Sequence, residues 1–355
     1  MSPSATASPP RVAAQRILIV LLGAIGDVTR GLPLLQRLRG GYPRAHITWA
    51  VEPASAPLLE GHPALNEVLI FDRPRGAGAF VDFLRRVRAQ RPDLTLDLQR
   101  HLKSGVVSWM SRAPVRLGFH RRNGREGNWL FTTHRLAPMP HFSSKLEQFL
   151  RFADWLGVAP VPISFGLHLT AAEEERVEQL LGAVHRPFVA AFVGASWESK
   201  QWFPESTAAV SEALAAQGID TVLLGGPTDV EFAAAVAHHA RAPVHNLAGQ
   251  TNLRDLIGIF QRARAAFGPD SGPMHIAAAV GARVVSVWGA TDPARSGPWA
   301  NEAGIIRGTA PCSPCYLRHC PIGRLCMRNV PPQTVADTLL ASAGGTQSHP
   351  AAPPR

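Results

Sequence analysis

The amino-acid sequence predicts an α/β protein of two units, each built on a parallel β-sheet. Short apolar segments alternate with helical segments along the chain, which is typical of parallel sheets covered by helices on both faces. The length of 355 residues suits two domains of about 150 residues each. A Pro-punctuated stretch, residues 157–162, separates two series of such segments and marks the approach to a linker.

The first series predicts a domain over residues 15–162. It follows a tail, residues 1–14, that we expect to be disordered. The predicted strands are residues 16–22, 46–51, 68–72, 94–98 and 115–119, and the predicted helices include 28–39, 78–90 and 143–156.

The second series predicts a domain over residues 163–343, followed by a disordered tail, residues 344–355. The alternative that its C-terminal helix packs back on the first domain stays open. The predicted strands are residues 188–194, 221–225 and 284–288 with the apolar run 265–267, and the predicted helices are 204–217, 229–239 and 253–264.

Composition and charge narrow the class of protein and of partner. A hydrophobic fraction of 46% with 17% charged residues describes a soluble globular protein. No apolar run approaches the roughly 20 residues that span a bilayer, and no signal peptide is recognisable, so we expect a cytoplasmic protein. The net charge of +10 favours anionic partners. Because nucleic-acid-binding patterns are missing from the sequence, phosphorylated small molecules or an anionic membrane surface fit better than nucleic acid.

The segment GPDSGPMH, residues 268–275, is the most informative feature of the chain. It joins an apolar run to a helix-forming one, and its two glycines permit close backbone approaches. Free N–H groups at a helix start attract phosphate, and here Ser271 adds a hydroxyl while His275 falls on the first turn. The alternative is an ordinary capped helix, with Asp270 or Ser271 as the N-cap residue.

A carboxylate, Asp27, ends the turn that follows the first strand. This turn lacks the G-x-G-x-x-G spacing, so a nicotinamide or flavin enzyme is not favoured. Asp27 is a candidate general base that would take a proton from an attacking hydroxyl. The alternative is an N-cap residue.

Three further loops of the second half precede helices. Lys200 could neutralise charge on a leaving diphosphate and Ser196 could hydrogen-bond the same group, although a solvated loop lysine is the alternative. Glu231 is a candidate for binding ribose hydroxyls, or a partner of the helix dipole. The backbone around Thr251 could contact an adenine edge, with a helix cap at Thr251 or Asn252 as the alternative.

Four segments together resemble glycosyltransferase family 9, the lipopolysaccharide heptosyltransferases: the turn 23–27, the loop of Lys200, the turn Gly225-Gly226-Pro227 and the segment 268–275. The similarity covers residues 16–335. It implies a GT-B architecture, in which two Rossmann-like domains face an interdomain cleft, with the acceptor site in the first domain and the nucleotide-sugar site in the second. It also implies metal-independent, inverting transfer of a heptose from ADP-L-glycero-D-manno-heptose to the inner core of lipopolysaccharide, without a cofactor.

The resemblance also implies roles for the candidate residues. Asp27 resembles the general base, and Ser196 and Lys200 resemble the donor-phosphate contacts. Glu231 and Thr251 match the ribose and adenine sides. The loop that would hold the diphosphate and the sugar is Asp270, Ser271, Gly272 and His275. The sequence has Ala195 before Ser196 where the family often has paired Thr or Ser residues, which leaves the donor sugar open.

The acceptor and membrane predictions rest on basic residues. As a cluster, Lys103, Arg116, Arg121 and Arg122 could bind the phosphates and carboxylates of a Kdo-lipid A core, whereas singly each is a surface charge. The resemblance implies a peripheral enzyme at the inner face of the inner membrane. The alternatives are a family member with another nucleotide-sugar or acceptor, or a non-catalytic nucleotide-sugar-binding protein, which would not need Asp27.

All four cysteines lie in one short segment, Cys312-x2-Cys315-x4-Cys320-x5-Cys326. A structural zinc site and a set of buried thiols are both compatible with this spacing. The inferred chemistry needs no metal in either case.

Overall fold

A computed structural model describes residues 12–72, 76–140 and 143–343. The chain divides into two compact units, residues 1–166 and 167–355. Each unit contains a six-stranded parallel sheet. The predicted tail 344–355 and residues 1–11 of the predicted N-terminal tail lie outside the described residues.

The first unit has the strand order β3-β2-β1-β4-β5-β6. Its strands are β1 (Arg16–Val20), β2 (His46–Val51), β3 (Glu67–Ile70), β4 (Leu94–Asp97), β5 (Val115–Gly118) and β6 (His134–Arg135). Its α-helices are α1 (Ile25–Gly41), α2 (Gly76–Ala89), α3 (Leu102–Met110) and α4 (Lys145–Trp155). The order reverses between β1 and β4, as in a Rossmann sheet.

The second unit repeats this topology. Its strands are β7 (Phe188–Phe192), β8 (Asp220–Leu224), β9 (Val244–Asn246), β10 (Ala265–Pro269), β11 (Val284–Trp288) and β12 (Ile305–Arg307). Its α-helices are α5 (Ala171–Leu180), α6 (Pro204–Ala215), α7 (Val230–His239), α8 (Leu253–Arg262), α9 (Gly272–Ala279), α10 (Pro293–Ser296), α11 (Leu325–Arg328) and α12 (Pro332–Ala343). The strand order is β12-β11-β10-β7-β8-β9, so the reversal falls between β7 and β10.

The predicted α/β class with two parallel sheets is confirmed. The strands that the sequence predicted have four to six residues that are mostly apolar. Burial on both faces of a parallel sheet explains that composition. The prediction missed β6, β9 and β12, which have only 2, 3 and 3 residues and hold polar side chains. It also did not place α3 or α5.

The core of the second unit includes the last helix. Val335, Ala336 and Leu339 of α12 are buried among Phe267 and Val287 of the sheet. Helix α12 also packs along α6. The apolar side chains Val335, Ala336 and Leu339 of α12 are therefore buried within the second unit.

Within the described part of the chain, no helix is long and apolar enough to cross a membrane.

Candidate functional site

The point where the strand order reverses is the place where open parallel sheets bind ligands, at the carboxyl ends of the strands. In the second unit, this point lies between β7 and β10. The loop after β7 carries Lys200, and the turn after β10 carries Asp270 and Ser271. The topology thus brings together two predicted site segments that are about 70 residues apart in the sequence.

Lys200 and Asp270 form an ion pair across this point. The Nζ atom of Lys200 lies 2.7 Å from Oδ2 of Asp270, and both side chains are largely buried. The hydroxyl of Thr291 donates a hydrogen bond of 2.6 Å to the same oxygen. The ammonium group also lies 4.5 Å from the ring centre of Trp197. Lys200 is therefore a fixed cation beside the segment 268–275, and the interpretation as a solvated loop lysine is wrong.

The start of α9 has no side-chain cap. Ser271 occupies the N-cap position, but its side chain makes no capping hydrogen bond, and Pro273 follows in the first turn. The Ser271 hydroxyl oxygen is buried and has no hydrogen-bond partner. Because Asp270 is engaged by Lys200 and Thr291, neither residue caps the helix as the alternative interpretation required. The helix start thus offers N–H groups and a hydroxyl next to a cation, which suits an anion.

Glycine at position 268 lets β10 run close to β7. A Cβ atom built on Gly268 would lie 2.3 Å from the backbone oxygen of Phe192, closer than any real contact. The prediction that this segment needs glycine for a close backbone approach is confirmed at this position.

The remaining donor candidates lie on neighbouring elements. Ser196 is exposed in the loop after β7, and Glu231 is exposed in the first turn of α7. His275 is buried on α9. Thr251 is half-buried and precedes Asn252, which is the residue that caps α8 by accepting from two backbone N–H groups. The capping role is therefore filled by Asn252, and Thr251 is left outside the helix.

In the first unit, Asp27 sits in the first turn of α1 and is not its N-cap residue. The helix begins at Ile25, and the N-cap position is Ala24. Both carboxylate oxygens of Asp27 lie 2.7 Å from the Nζ atom of Lys145, the first residue of α4. Arg30, one turn further along α1, donates to the carboxylate as well. The N-cap interpretation is wrong, and Asp27 belongs to a three-member charge cluster.

The cluster controls the protonation of Asp27. Burial raises the pKa of this carboxyl, but the positive charges of Lys145 and then Arg30, together with their hydrogen bonds, lower it more. The net effect holds the pKa of Asp27 well below its usual range. The carboxylate is therefore ionised at neutral pH and free to accept a proton, at the cost of low basicity.

The sequence did not predict two residues that contact the candidate carboxylates: Lys145 beside Asp27 and Thr291 beside Asp270. Lys145 is 118 residues from Asp27 along the chain, and no sequence pattern links the two. Thr291 could have been found, because it follows the predicted strand 284–288, and parallel strands end at the same edge of a sheet.

Of the predicted acceptor residues, two have partners within the protein and two are exposed. Lys103 pairs with Glu52 at 2.6 Å. The guanidinium of Arg116 donates to two backbone carbonyls, 2.7 Å from that of Ala113 and 3.0 Å from that of Phe131. Arg116 thus has a structural role that the prediction did not foresee. Arg121 and Arg122 are exposed.

The four cysteines are free thiols of different exposure. Cys326 is buried, Cys312 is exposed, and Cys315 and Cys320 are intermediate. Burial raises the pKa of the Cys326 thiol. The interpretation as a set of buried thiols therefore holds for Cys326 alone. Among the described residues, no group of three or more His, Cys, Asp and Glu side chains is arranged to hold a metal ion.

Comparison with known families decides the class of the protein. The family model for "Glycosyltransferase family 9 (heptosyltransferase)" matches residues 80–325, more than half of the chain. The chain belongs to glycosyltransferase family 9. The resemblance seen in the loops is confirmed, and the protein is a transferase enzyme.

Several known proteins are similar to this chain over most of their length. The "Lipopolysaccharide core heptosyltransferase OpsX" of Haemophilus influenzae is 25% identical over 299 residues, covering 83% of this chain and 84% of that protein. The crystal structure of a family 9 enzyme from Veillonella parvula has a TM-score of 0.79 at 19% identity, covering 95% of this chain and 99% of that one. The E. coli "ADP-heptose lps heptosyltransferase II" has a TM-score of 0.76 at 21% identity, covering 92% and 98%. The solved structures confirm the fold.

Proposed function

We propose that the enzyme transfers a heptose from ADP-L-glycero-D-manno-heptose to the inner core of lipopolysaccharide, with inversion at the anomeric carbon. The observation that carries the proposal is the Lys200–Asp270 pair at the start of α9, beside the unpartnered hydroxyl of Ser271. The similarity to a lipopolysaccharide core heptosyltransferase and to an ADP-heptose-dependent enzyme supports this donor and this acceptor.

The donor diphosphate would bind at the N-terminus of α9. The backbone N–H groups of Ser271 and Gly272 and the hydroxyl of Ser271 suit phosphate oxygens, and Lys200 adds a positive charge. A phosphate here would share the ammonium group with Asp270, which keeps its hydrogen bond from Thr291. Asp270 is then placed to accept a hydrogen bond from a hydroxyl of the sugar. Ser196 and His275 would add contacts to the donor, and Glu231 and Thr251 to its ribose and adenine.

The base step is assigned to Asp27. Asp27 takes the proton of the acceptor hydroxyl while that oxygen forms a bond to the anomeric carbon. The bond from that carbon to the diphosphate oxygen breaks in the same step, and ADP leaves with the electron pair. Lys200 and the α9 N–H groups stabilise the charge on the diphosphate. Because Asp27 is a weak base, catalysis must rely largely on positioning.

The acceptor side is proposed from the basic residues of the first unit. Arg121 and Arg122 are exposed and would bind phosphates or carboxylates of a Kdo-lipid A or heptosyl-Kdo-lipid A core. Lys103 would contribute after partial release from Glu52. We give Arg116 a lesser role, since its guanidinium already donates to two carbonyls.

A surface of the first unit suits an anionic membrane. Helix α3 and the 3-10 turn Asn128–Phe131 are joined by hydrogen bonds from Asn128 to Ser104 and to the His101 carbonyl. Helix α3 carries the exposed apolar side chains Leu102 and Trp109, and the turn joined to it carries Leu130. We call these three residues the α3 face. The basic residues of the same part of the chain that are exposed are Arg112, Arg121, Arg122, Arg125 and Arg135. Exposed apolar side chains and exposed arginines in one part of the chain favour peripheral binding at the cytoplasmic face of the inner membrane.

A transfer assay with purified protein tests the proposal. ADP-heptose is offered with Kdo2-lipid A and, separately, with a heptosylated core, to the wild type, Asp27→Asn and Lys200→Ala. We expect Asp27→Asn to lower kcat by about 10²- to 10⁴-fold with a small change in donor KM. Lys200→Ala should chiefly raise the donor KM.

The outcomes separate the alternatives. Turnover only with UDP- or GDP-sugars would contradict the ADP-heptose donor and favour another nucleotide-sugar. Wild-type binding of ADP-heptose without transfer to either acceptor would indicate another acceptor or a non-catalytic binding protein. If Asp27→Asn turned over like the wild type, the base assignment would be wrong.

A further inference from the structure

The loop that carries Lys200 is held in place by a segment more than 100 residues away in the sequence. We call residues 196–203 the Lys200 loop and residues 312–328 the cysteine segment. The N–H of Ser199 donates to the carbonyl of Arg318 at 3.1 Å, and the Ser199 hydroxyl donates to the carbonyl of Leu317. Ser199 is buried by these contacts.

One side chain of the cysteine segment bonds the loop at three points. Arg324 donates to the carbonyls of Gln201 and Trp202, at 3.0 and 3.4 Å. Its Nε atom lies 3.2 Å from the carboxylate of Glu198. The guanidinium also lies over the ring of Phe203, 4.5 Å from its centre. These contacts fall on both sides of Lys200 in the sequence.

The backbone at Arg324 has an unusual conformation. Arg324 has φ of 57°, in the left-handed region, and stands at the start of α11. Non-glycine residues persist in this region where their surroundings hold them. The N–H of Arg324 donates to the sulfur of Cys320 at 3.1 Å, and the N–H of Cys320 donates to Glu198 at 2.9 Å. Glu198 and Arg324 thus join the two segments by side chain and by backbone.

The rest of the loop has a separate anchor. The indole N–H of Trp202 donates to the carbonyl of Met327 at 3.2 Å, and Trp202 is buried in the core of the second unit. Removing the Arg324 side chain would leave this anchor in place. The loss would therefore fall on the Glu198–Gln201 part of the loop, where Lys200 lies, and not on the core.

We propose that Arg324 is a positioning residue for donor binding, which holds the Lys200 loop so that the ammonium group meets both Asp270 and the donor diphosphate. The inference rests on the proposed function of Lys200. Arg324 acts through the loop and needs no contact with the donor. A distant cysteine segment then sets how strongly the sugar nucleotide is bound.

Titration of the protein with ADP tests the proposal. The variants are Arg324→Gln, Arg324→Lys and, as a matched control, Arg328→Gln. Arg328 also places its guanidinium on Phe203, at 4.3 Å. We expect Arg324→Gln to weaken ADP binding about tenfold, because it loses charge-assisted bonds to the loop. Arg324→Lys should recover part of the loss, and Arg328→Gln should bind within about twofold of the wild type.

A double-mutant cycle shows whether the effect of Arg324 on ADP binding depends on Lys200. A general structural role of Arg324 would not depend on Lys200. If Arg324 acts through Lys200, then Arg324→Gln should cause no further loss of ADP affinity in a Lys200→Ala background. In the transfer assay, Arg324→Gln should raise the donor KM by about the same factor while kcat changes less. Glu198→Gln, which weakens the same ion pair from the loop side, should reproduce the effect in a smaller measure.

Three results would overturn this inference and leave the proposed function intact. One is wild-type ADP affinity in Arg324→Gln. Another is an Arg324→Gln effect that is fully retained without Lys200. If Arg324→Gln lowers the unfolding midpoint strongly, Glu198→Gln decides instead, and wild-type affinity there contradicts the proposal. A wild type that binds no ADP contradicts the proposed function and this inference together, whereas the other results contradict this inference alone.

Discussion

The two cations beside Asp27 determine the pKa of its carboxyl group. A buried carboxylate alone would hold its proton more tightly than in water, because burial disfavours the charged form. Lys145 and Arg30 reverse this effect and depress the pKa. A depressed pKa stabilises the folded state at neutral pH, and that stabilisation is lost as the pH falls below the usual range of a carboxyl group.

The variant Lys145→Met should move the pH dependence of transfer. Without the Lys145 charge, burial is opposed by Arg30 alone, so the pKa of Asp27 rises. The acidic limb of the kcat/KM profile should then shift to higher pH, and the profile is measured from about pH 4 to pH 8. Arg151→Met, an exposed cation on the same helix, is the control and should leave the limb in place. An unchanged limb in Lys145→Met would show that this titration does not limit the rate.

The sequence predicted a functional role for Asp27 but not for its partner Lys145. Asp27 was predicted because a carboxylate directly after a strand and before a helix is placed where ligands bind. Its partner Lys145 was not, since nothing in one sequence indicates that the first turn of α1 meets the first residue of α4. The N-cap interpretation failed for a local reason: the helix starts at Ile25, three residues before the start that an N-cap at Asp27 requires.

At the scale of elements, the approach of β10 to β7 depends on Gly268. Gly268→Ala would force a Cβ atom against the Phe192 carbonyl, where only backbone movement can relieve the clash. We expect a loss of about 1–3 kcal/mol in the free energy of unfolding, measured by urea denaturation. Gly40→Ala is the control, because a Cβ atom there meets nothing within 4 Å and lies in helix α1. That variant should be neutral or more stable by up to about 1 kcal/mol. Equal stability of both variants would contradict the close-approach argument.

Helices α5 and α8 are joined by a charged contact that gives the second unit a pH dependence. Arg254 on α8 donates to both oxygens of Glu173 on α5, at 2.8 and 2.9 Å. Hydrogen bonds from Arg254, followed by those from Thr170, outweigh burial and lower the pKa of Glu173 to about 2. Because the folded pKa is depressed, this contact stabilises the protein above the usual pKa of a Glu and is lost as the pH falls towards about 2.

Glu173→Gln tests this contact. Glutamine keeps an oxygen that can still accept a hydrogen bond from the backbone N–H of Thr170, the N-cap residue of α5. We expect a loss of about 1 kcal/mol in the free energy of unfolding at neutral pH, since the pair is partly screened by solvent. The difference from the wild type should shrink as the pH is lowered, and urea denaturation at several pH values measures it. Glu175→Gln, exposed on the same helix, should change little at any pH. A pH-independent difference would show that packing, and not charge, explains the loss.

The elements with a clear hydrophobic pattern were the ones predicted. The sequence predicted the apolar strands of four to six residues and helices α1, α2, α4, α6, α7 and α8 to within a few residues, but it did not place α3 or α5. The edge strands β6, β9 and β12 pair on one side only and hold polar side chains, and their 2 or 3 residues carry no period. Pairing with a neighbouring strand, which only the tertiary structure supplies, makes them strands.

At the scale of the whole molecule, the charge of +10 and the α3 face predict binding to anionic membranes. The protein should float with vesicles of phosphatidylglycerol and not with phosphatidylcholine, and added salt should weaken binding because it screens the charges. Trp109→Ser combined with Leu130→Ser should reduce flotation several-fold, since these are two of the exposed apolar anchors.

The control for the membrane experiment is Val81→Ser, an exposed apolar residue on α2 in the same unit. It should float like the wild type. Equal flotation of wild type and the Trp109→Ser, Leu130→Ser protein would show that the α3 face is not the contact. Equal binding to both vesicle types would contradict the role of the arginines.

The sequence alone determined the α/β class, the two-unit organisation and the family, and it predicted most of the loop residues that are proposed for donor binding. It did so because hydrophobic period, loop glycines and strand–loop–helix order are local properties of the chain. The tertiary structure decided the partners: Asp270 for Lys200, Lys145 for Asp27, and Arg324 for the Lys200 loop. The segment 268–275 could be a capped helix or a phosphate site on sequence alone. Once Lys200 and Thr291 engage Asp270 and the Ser271 hydroxyl stays unpartnered, the helix start lacks a cap. Such pairs are set by strand order in space, which a linear pattern does not carry.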